Sequence, residues 1–271
     1  MKKLIFALLT ISLFSCGEKK DGETSGEKTK VTYPDRWEKD MSVEISNGGG
    51  EGPGWYKIYI SYDSCYMEQG FTDIHNKWYF SLATDYLDSL AGLIKSNDLA
   101  NIKSEDAGGT IHDKATTSLV LKMGGKEYKM EDSATGLIKG ENGEKFRNVY
   151  DYVYSTGTKE VNRLSSVFYF LPDKKLLAAK PNITITDYDY STSYNSEEFG
   201  LVDSIYLFLL PGNHRFTINI IDSLGKMEPF DTVWNCTISP ASKEYIKLNY
   251  NKGKVSLDTI ITVQPSIILY Q

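Results

Sequence analysis

The densest run of potential metal ligands in this chain of 271 residues is Asp187-Tyr188-Asp189-Tyr190-Ser191-Thr192-Ser193-Tyr194-Asn195-Ser196-Glu197-Glu198. Counted from Asp187, oxygen-bearing residues fall at positions 1, 3, 5, 7 and 9, with Glu198 at position 12. That is the spacing with which a calcium loop wraps its ion. Thr192, however, stands where such a loop needs glycine for its sharp turn, and Asn182 to Thr186 alternates like a strand where a helix is required. The competing reading is a polar, tyrosine-decorated hairpin at a sheet edge. His75, His112 and His214 fall in no zinc-hydrolase spacing, and there is no Gly-x-Ser-x-Gly elbow. His112-Asp113 is the one histidine with a carboxylate neighbour, but adjacent residues on a strand point to opposite faces. Gly48-Gly49-Gly50-Glu51-Gly52 lacks the Lys-Ser/Thr of a phosphate loop. These residues nominate no catalytic group, no metal site and no cofactor.

The most specific chemistry lies at the N-terminus. Lys2 and Lys3 precede the apolar run Leu4 to Phe14, the n-region and h-region of a signal peptide, and the run is too short to span a bilayer as a helix. Leu13-Phe14-Ser15-Cys16-Gly17 follows, which resembles the bacterial lipobox. The resemblance implies cleavage before Cys16 and acylation of that cysteine, and acyl chains of this kind hold a soluble body durably at a membrane. Residues 17–30, GEKKDGETSGEKTK, contain no apolar side chain and read as a solvated tether. Their start, Gly17-Glu18-Lys19-Lys20-Asp21, is similar to the charged tract after the cysteine in surface-exported lipoproteins of the Bacteroidota. The expected location is the outer membrane, with the periplasmic or surface face left open.

The elements beyond the tether divide in two. In the first part, Met41 to Ile45 and Trp55 to Tyr62 alternate as strands, Trp78 to Phe80 reads as another, and Leu119 to Met123 pairs with Glu127 to Met130 across Gly124-Gly125. Thr84 to Ser96 has a helical stripe of Leu87, Leu90, Ala91 and Ile94, with Thr84 as a candidate cap and Asn97 as the stop. A second helix is expected near Glu144 to Tyr154, burying Phe146, Val149, Tyr150 and Val153. Gly52-Pro53 before Tyr56, Ile58 and Ile60, the Leu87/Leu90 helix, and Ile111-His112-Asp113 leading into Thr116-Thr117-Ser118-Leu119 together resemble a small uncharacterised domain of lipoproteins from the same phylum.

After residue 160 only strands are expected, at 165–171, 182–186, 203–209, 214–221, 232–238, 244–248, 255–262 and 266–270, separated by turn signals such as Pro211-Gly212 and Lys252-Gly253. Leu209 to Ile218 resembles the strand-turn-strand signature of PEGA-type and transthyretin-like sandwich modules, which implies that Phe216, Ile218 and Ile220 point inward and that the module serves as a spacer or binding platform. The fold class expected is an α+β N-terminal domain followed by an all-β antiparallel sandwich domain. The domains are signal peptide 1–15, acylated cysteine and tether 16–40, α+β domain 41–158 and sandwich 159–271.

The formal net charge of −6 argues against a nucleic-acid partner, because a phosphate backbone demands a basic footprint. The membrane, through Cys16, is the partner the sequence names; a protein or glycan partner stays open. Export places Cys65 and Cys236 where a disulfide is permitted, and both a bridge and two buried thiols fit. Asp followed by Ser or Thr and then an apolar residue recurs at Asp88, Asp132, Asp203, Asp222, Asp231 and Asp258. This is similar to the O-glycosylation sequon of exported Bacteroidota proteins, with Ser133 and Ser223 first because they sit near turns; the same dipeptides are also ordinary turn formers. The nineteen tyrosines offer stacking area and hydroxyls, yet tyrosine is also a common strand former. The expected role is a binding, scaffolding or assembly module. The alternative is an envelope hydrolase with a loop-assembled site. A flat tyrosine-lined sheet face would favour the first, and a cleft with convergent carboxylates or histidine the second.

Overall fold

The computed structural model describes residues 31–50, 52–109, 111–187, 190–195, 204–222 and 229–263. Among the described residues the chain is predominantly β, and none of its helices is long and apolar enough to cross a membrane. Cys16 and residues 17–30 lie outside the described residues, as do Ser223 and the strand expected at 266–270.

The first sheet has the order β4-β3-β2-β1-β6-β7, from β1 (Ser42–Gly48), β2 (Gly54–Ser61), β3 (Cys65–Phe71), β4 (Ile74–Phe80), β6 (Thr116–Met123) and β7 (Lys126–Asp132), all antiparallel. Its pairing generates continuous rows of side chains, since residues directly opposite one another share a face. The rows Met130-Leu119-Ile45-Ile58-Met67-Trp78 and Tyr128-Leu121-Val43-Ile60-Cys65-Phe80 cross all six strands. Every member of the first is buried, and burying a side chain of that size stabilises the fold by about 1.5–3 kcal/mol.

That face is covered by α2 (Gly140–Asn162), which lies across β1 to β4, with α1 (Thr84–Ser96) against it. The expected stripe Phe146, Val149, Tyr150 and Val153 is buried and continues through Gly157 and Val161. The helix is longer than its sequence suggests and runs through residue 158, where a domain boundary was placed. Gly157 explains the close fit: a Cβ there would stand 2.8 Å from Ile58 Cγ2. α1 has the expected bounds, and Asn97 ends it with Nδ2 donating to the Leu93 carbonyl at 2.8 Å. Thr84 does not cap it; Ala83 occupies that position without a side-chain bond. The short strands β5 (Glu105–Asp106) and β8 (Gly136–Leu137) pair between the helices.

β3 and most of β4 were not legible in sequence. Their hairpin turns at Thr72-Asp73 with Thr72 at φ 53, a conformation that usually calls for Gly or Asn. The tether also ends sooner than residue 40. Trp37 is buried, and the Tyr33 hydroxyl donates to Asp98 Oδ1 at 3.0 Å while accepting from the Ala100 amide at 2.8 Å. The Trp37 amide also donates to Asp88 Oδ1 at 3.0 Å, and Lys95 pairs with Asp35 at 2.6 Å, so the segment is docked by polar bonds as well as by its two aromatic side chains.

The remaining strands form two sheets around one core. One is β11-β10-β13-β14, from β10 (Pro181–Asp187), β11 (Tyr190–Asn195), β13 (Gly212–Asp222) and β14 (Phe230–Ile238). The other is β12-β9-β15-β16 with β17 also on β15, from β9 (Ser166–Pro172), β12 (Ile205–Leu209), β15 (Lys243–Asn251), β16 (Lys254–Leu257) and β17 (Ile261–Val263). Phe168, Phe170, Ile183, Ile185, Phe216, Ile218, Ile220 and Ile246 are buried between them, so Phe216, Ile218 and Ile220 do point inward. The wholly antiparallel expectation is corrected in one respect: β9 and β15 pair in parallel. A parallel pair needs a long crossover, and here the intervening chain builds the opposite sheet; alternation along a strand carries no information about direction. A short helix, α3 (Lys174–Ala178), capped by the Asp173 side chain, also interrupts the all-strand reading.

Candidate functional site

Polar residues at inward strand positions build the most unusual feature. Along β10, Ile183, Ile185 and Asp187 share the buried face; along β13, His214, Phe216, Ile218 and Ile220 do the same. Asp187 opposes Phe216 in the ladder, which brings His214 diagonally within reach. His214 Nδ1 lies 2.8 Å from Asp187 Oδ2, and its Nε2 lies 2.7 Å from the Leu210 carbonyl oxygen. Both residues are about 95% buried, and the imidazole stacks on Phe216 with ring centroids 6.0 Å apart. Asp187 Oδ1 is buried and has no hydrogen-bond partner among the described residues.

This pair lines a pocket of about 390 Å³ between the first sheet and the two-sheet part of the molecule. The first sheet contributes the end of a third row on its helix-bearing face, Asp132-Thr117-Asn47-Tyr56-Gln69-Asn76, together with Phe71 and Trp78. Opposite stand Phe208, Leu209, Leu210 and the Asp187–His214 pair. The two walls are clamped together. Asn76 exchanges two bonds with the Asn213 backbone, at 2.9 and 2.8 Å, and Trp78 Nε1 donates to the Pro211 carbonyl at 2.6 Å. An exposed ion pair, Arg215 to Asp73 at 2.6 Å, lies alongside.

Catalysis is poorly served here. The His214 Nε2 that would act as general base is engaged by a carbonyl. Cys236, opposite His214 in the β13–β14 ladder, has its thiol pushed up to about 12 by burial and by the negative charges of Glu244 and Asp187. A nucleophilic cysteine needs the opposite shift. Cys65 is buried on the helix-bearing face of the first sheet, its thiol also raised by burial, and both cysteines are free, so no bridge staples the two parts.

The outward face of the first sheet is quite different. Tyr59, Tyr66 and Tyr79 stand in one row across β2, β3 and β4, with ring centroids 5.1 and 6.0 Å apart, and Tyr79 is 66% exposed. The next row is Lys57-Glu68-Lys77, and the one beyond is Trp55-Gly70-His75. Lys77 Nζ sits 3.6 Å from the centre of the Tyr66 ring and 2.6 Å from Glu68. Gly70 lets the Trp55 indole lie flat on the strand, because a Cβ at residue 70 would come within 2.4 Å of it.

The other residues singled out in sequence scatter. Of the candidate calcium loop, Asp187 ends β10 and Tyr190–Asn195 is β11, paired with β10 at the edge of its sheet, while Tyr188, Asp189 and Ser196 to Glu198 lie outside the described residues. His112 and Asp113 are exposed in a turn, and His75 is exposed on the sheet surface. Among the sequons, Ser133 is buried with its hydroxyl accepting from the Gly136 amide, whereas Ser89 and Thr259 are exposed. The Asp187–His214 pair was missed, although both residues continue an apolar alternation inward, and a polar residue in such a position signals a buried partner.

No protein-family model matches this chain, and no curated protein matches it. Among solved structures, a Bacteroides fragilis protein provisionally named for cell adhesion aligns over 95% of this chain and 94% of its own, at 8% identity and a TM-score of 0.22. At that score no common fold is established.

Proposed function

We propose that the protein is an envelope lipoprotein, anchored in the outer membrane by acylated Cys16, whose body is a recognition module and not a catalyst. In this reading the tether leads to an α+β domain built on the six-stranded sheet, followed by a sandwich domain that supports it. The observation that carries the reading is the outward face of β2 to β4. It sets a tyrosine row, half-buried at Tyr59 and Tyr66 and exposed at Tyr79, and a Trp-His row on either side of alternating Lys-Glu-Lys charges. Aromatic side chains with polar tips give large contact area at small entropic cost, which is why they dominate recognition surfaces. The hydrolase alternative has a cleft with a histidine and a carboxylate, but both nitrogens of that imidazole are engaged and the nearby Cys236 thiol is held protonated.

Protease treatment of intact cells, with wild type, Cys16→Ala and a periplasmic control compared, tests the anchor and its side of the membrane. Wild type in the membrane fraction and Cys16→Ala released from it is the expected result; equal partition of the two overturns the anchor. Cosedimentation of the purified chain with insoluble envelope polysaccharide and with peptidoglycan sacculi tests recognition. Binding that Tyr66→Ala/Tyr79→Ala abolishes is expected, and binding that survives this change removes the tyrosine face from the account.

A further inference from the structure

We propose that the pocket between the two walls binds an uncharged sugar residue, at a site distinct from the row Tyr59-Tyr66-Tyr79, although Trp55 of the outward face also borders it. Three features of the lining lead to this class of ligand. The first is an acceptor without a donor. Asp187 Oδ1 is buried, borders the pocket and lacks a hydrogen-bond partner among the described residues. Leaving such an oxygen dry is costly, and an arriving O–H or N–H removes the penalty.

The second feature is that the acid and the base of the lining are engaged with each other. Apart from the Tyr56 phenol, Asp187 and His214 are the titratable side chains among the described lining residues, and they are hydrogen-bonded to each other at 2.8 Å. A cationic ligand would meet a carboxylate already bonded to the imidazole, and an anionic ligand would meet a ring whose two nitrogens already have partners. Neither finds a disengaged charged side chain among the described lining residues, whereas a hydroxyl needs none.

The third is the pairing of amide and ring. The Gln69 side chain projects from the polar row into the pocket and has both donors and an acceptor to offer, which suits a hydroxyl that gives one hydrogen bond and takes another. Phe71 and Trp78 provide apolar wall on one side, and Phe208 stands on the other with 71% of its surface exposed. A pyranose has this same mixture of C–H faces and a hydroxyl rim. The volume of about 390 Å³ falls in the range of roughly 300–1,000 Å³ usual for small-molecule sites.

Ligand-observed saturation-transfer NMR on the detergent-solubilised full chain tests this with D-glucose, D-galactose, D-mannose and N-acetyl-D-glucosamine. Glucosamine, glucuronate and N-acetylalanine amide serve as cationic, anionic and peptide comparators. Saturable binding of at least one neutral sugar is expected, weakened about tenfold or more in Gln69→Leu and in Phe208→Ala, since a lost hydrogen bond or stacking contact is worth roughly a factor of ten. Both changes are at accessible positions, so they leave the fold intact where Asp187→Asn disturbs the His214 pair. Absence of binding by all four sugars overturns the proposal, as does preference for a comparator or unchanged affinity in both variants. None of these outcomes touches the tyrosine face, which Tyr66→Ala/Tyr79→Ala probes separately.

Discussion

Single atoms decide several properties of this protein. Gly92 and Gly157 both lie inside helices, yet their neighbourhoods differ: a Cβ at Gly92 meets nothing within 4 Å, while one at Gly157 stands 2.8 Å from Ile58 Cγ2. Replacing a helical glycine by alanine stabilises by about 1 kcal/mol when space is free. Gly92→Ala should therefore raise stability by about that amount. In Gly157→Ala the same gain is opposed by overpacking against a side chain that is fully buried and cannot swing away, a cost of about 1–3 kcal/mol. Urea unfolding should show Gly92→Ala more stable and Gly157→Ala less stable than wild type. Cys236 makes a second case. Its folded thiol is held protonated up to about 12, against an ordinary value of 9.0. Between those limits the unfolded chain ionises and the folded chain does not, so this group's contribution to stability is full below pH 9 and falls as pH rises. The melting temperature of wild type should drop more steeply from pH 9 to pH 11 than that of Cys236→Ala, and iodoacetamide at pH 8 should leave the folded thiol unmodified.

At the scale of elements, the rows of the first sheet assign each face its task. On one face two apolar rows sit beneath α2, and the third, polar row is left to line the pocket. On the other, tyrosines, charges and the Trp-His pair meet solvent. Much of this was legible: Tyr56, Ile58 and Ile60 alternate, and the hairpin over Gly124-Gly125 has both glycines at the positive φ its turn requires. β3 was not, because Cys65-Tyr66-Met67-Glu68-Gln69-Gly70-Phe71 mixes polar and apolar residues on each of its faces. That mixture is what a strand shows when one face is half core and half pocket. Modification chemistry follows from the same assignments. Ser133 lies in the β7–β8 turn with its hydroxyl buried and bonded, so an O-glycan is expected on Ser89 or Thr259 in preference to Ser133; peptide mass mapping of the chain from its native cells would show it.

At the scale of the whole molecule, the clamp between β4 and β13 is the critical joint. Gly212 has φ 125, and a Cβ there would stand within 2.4 Å of Asn76 Oδ1, so a side chain at this position expels the Asn76 amide from its two bonds to Asn213. Gly212→Val and Asn76→Ala should loosen the joint while leaving the sandwich core of Phe168, Phe216 and Ile246 in place. Limited proteolysis should then cut between the parts faster, with far-ultraviolet circular dichroism nearly unchanged. Equal cleavage rates would mean that Trp78 and its bond to Pro211 suffice alone.

Local physics accounts for what the sequence determined unaided. Alternation over two residues placed most strands, the 3.6-residue stripe placed α1 and the core of α2, and the short apolar run before Cys16 defines an expected address. Each depends on neighbours along the chain. Strand direction, the parallel β9–β15 pair, the clamp of Asn76 on Asn213 and the pocket each join residues far apart in sequence. The meeting of Asp187 with His214 belongs with them, because it follows from the register between two strands. Such meetings depend on which strands pair and with what offset, and the free energy that selects them is the burial of a shared core.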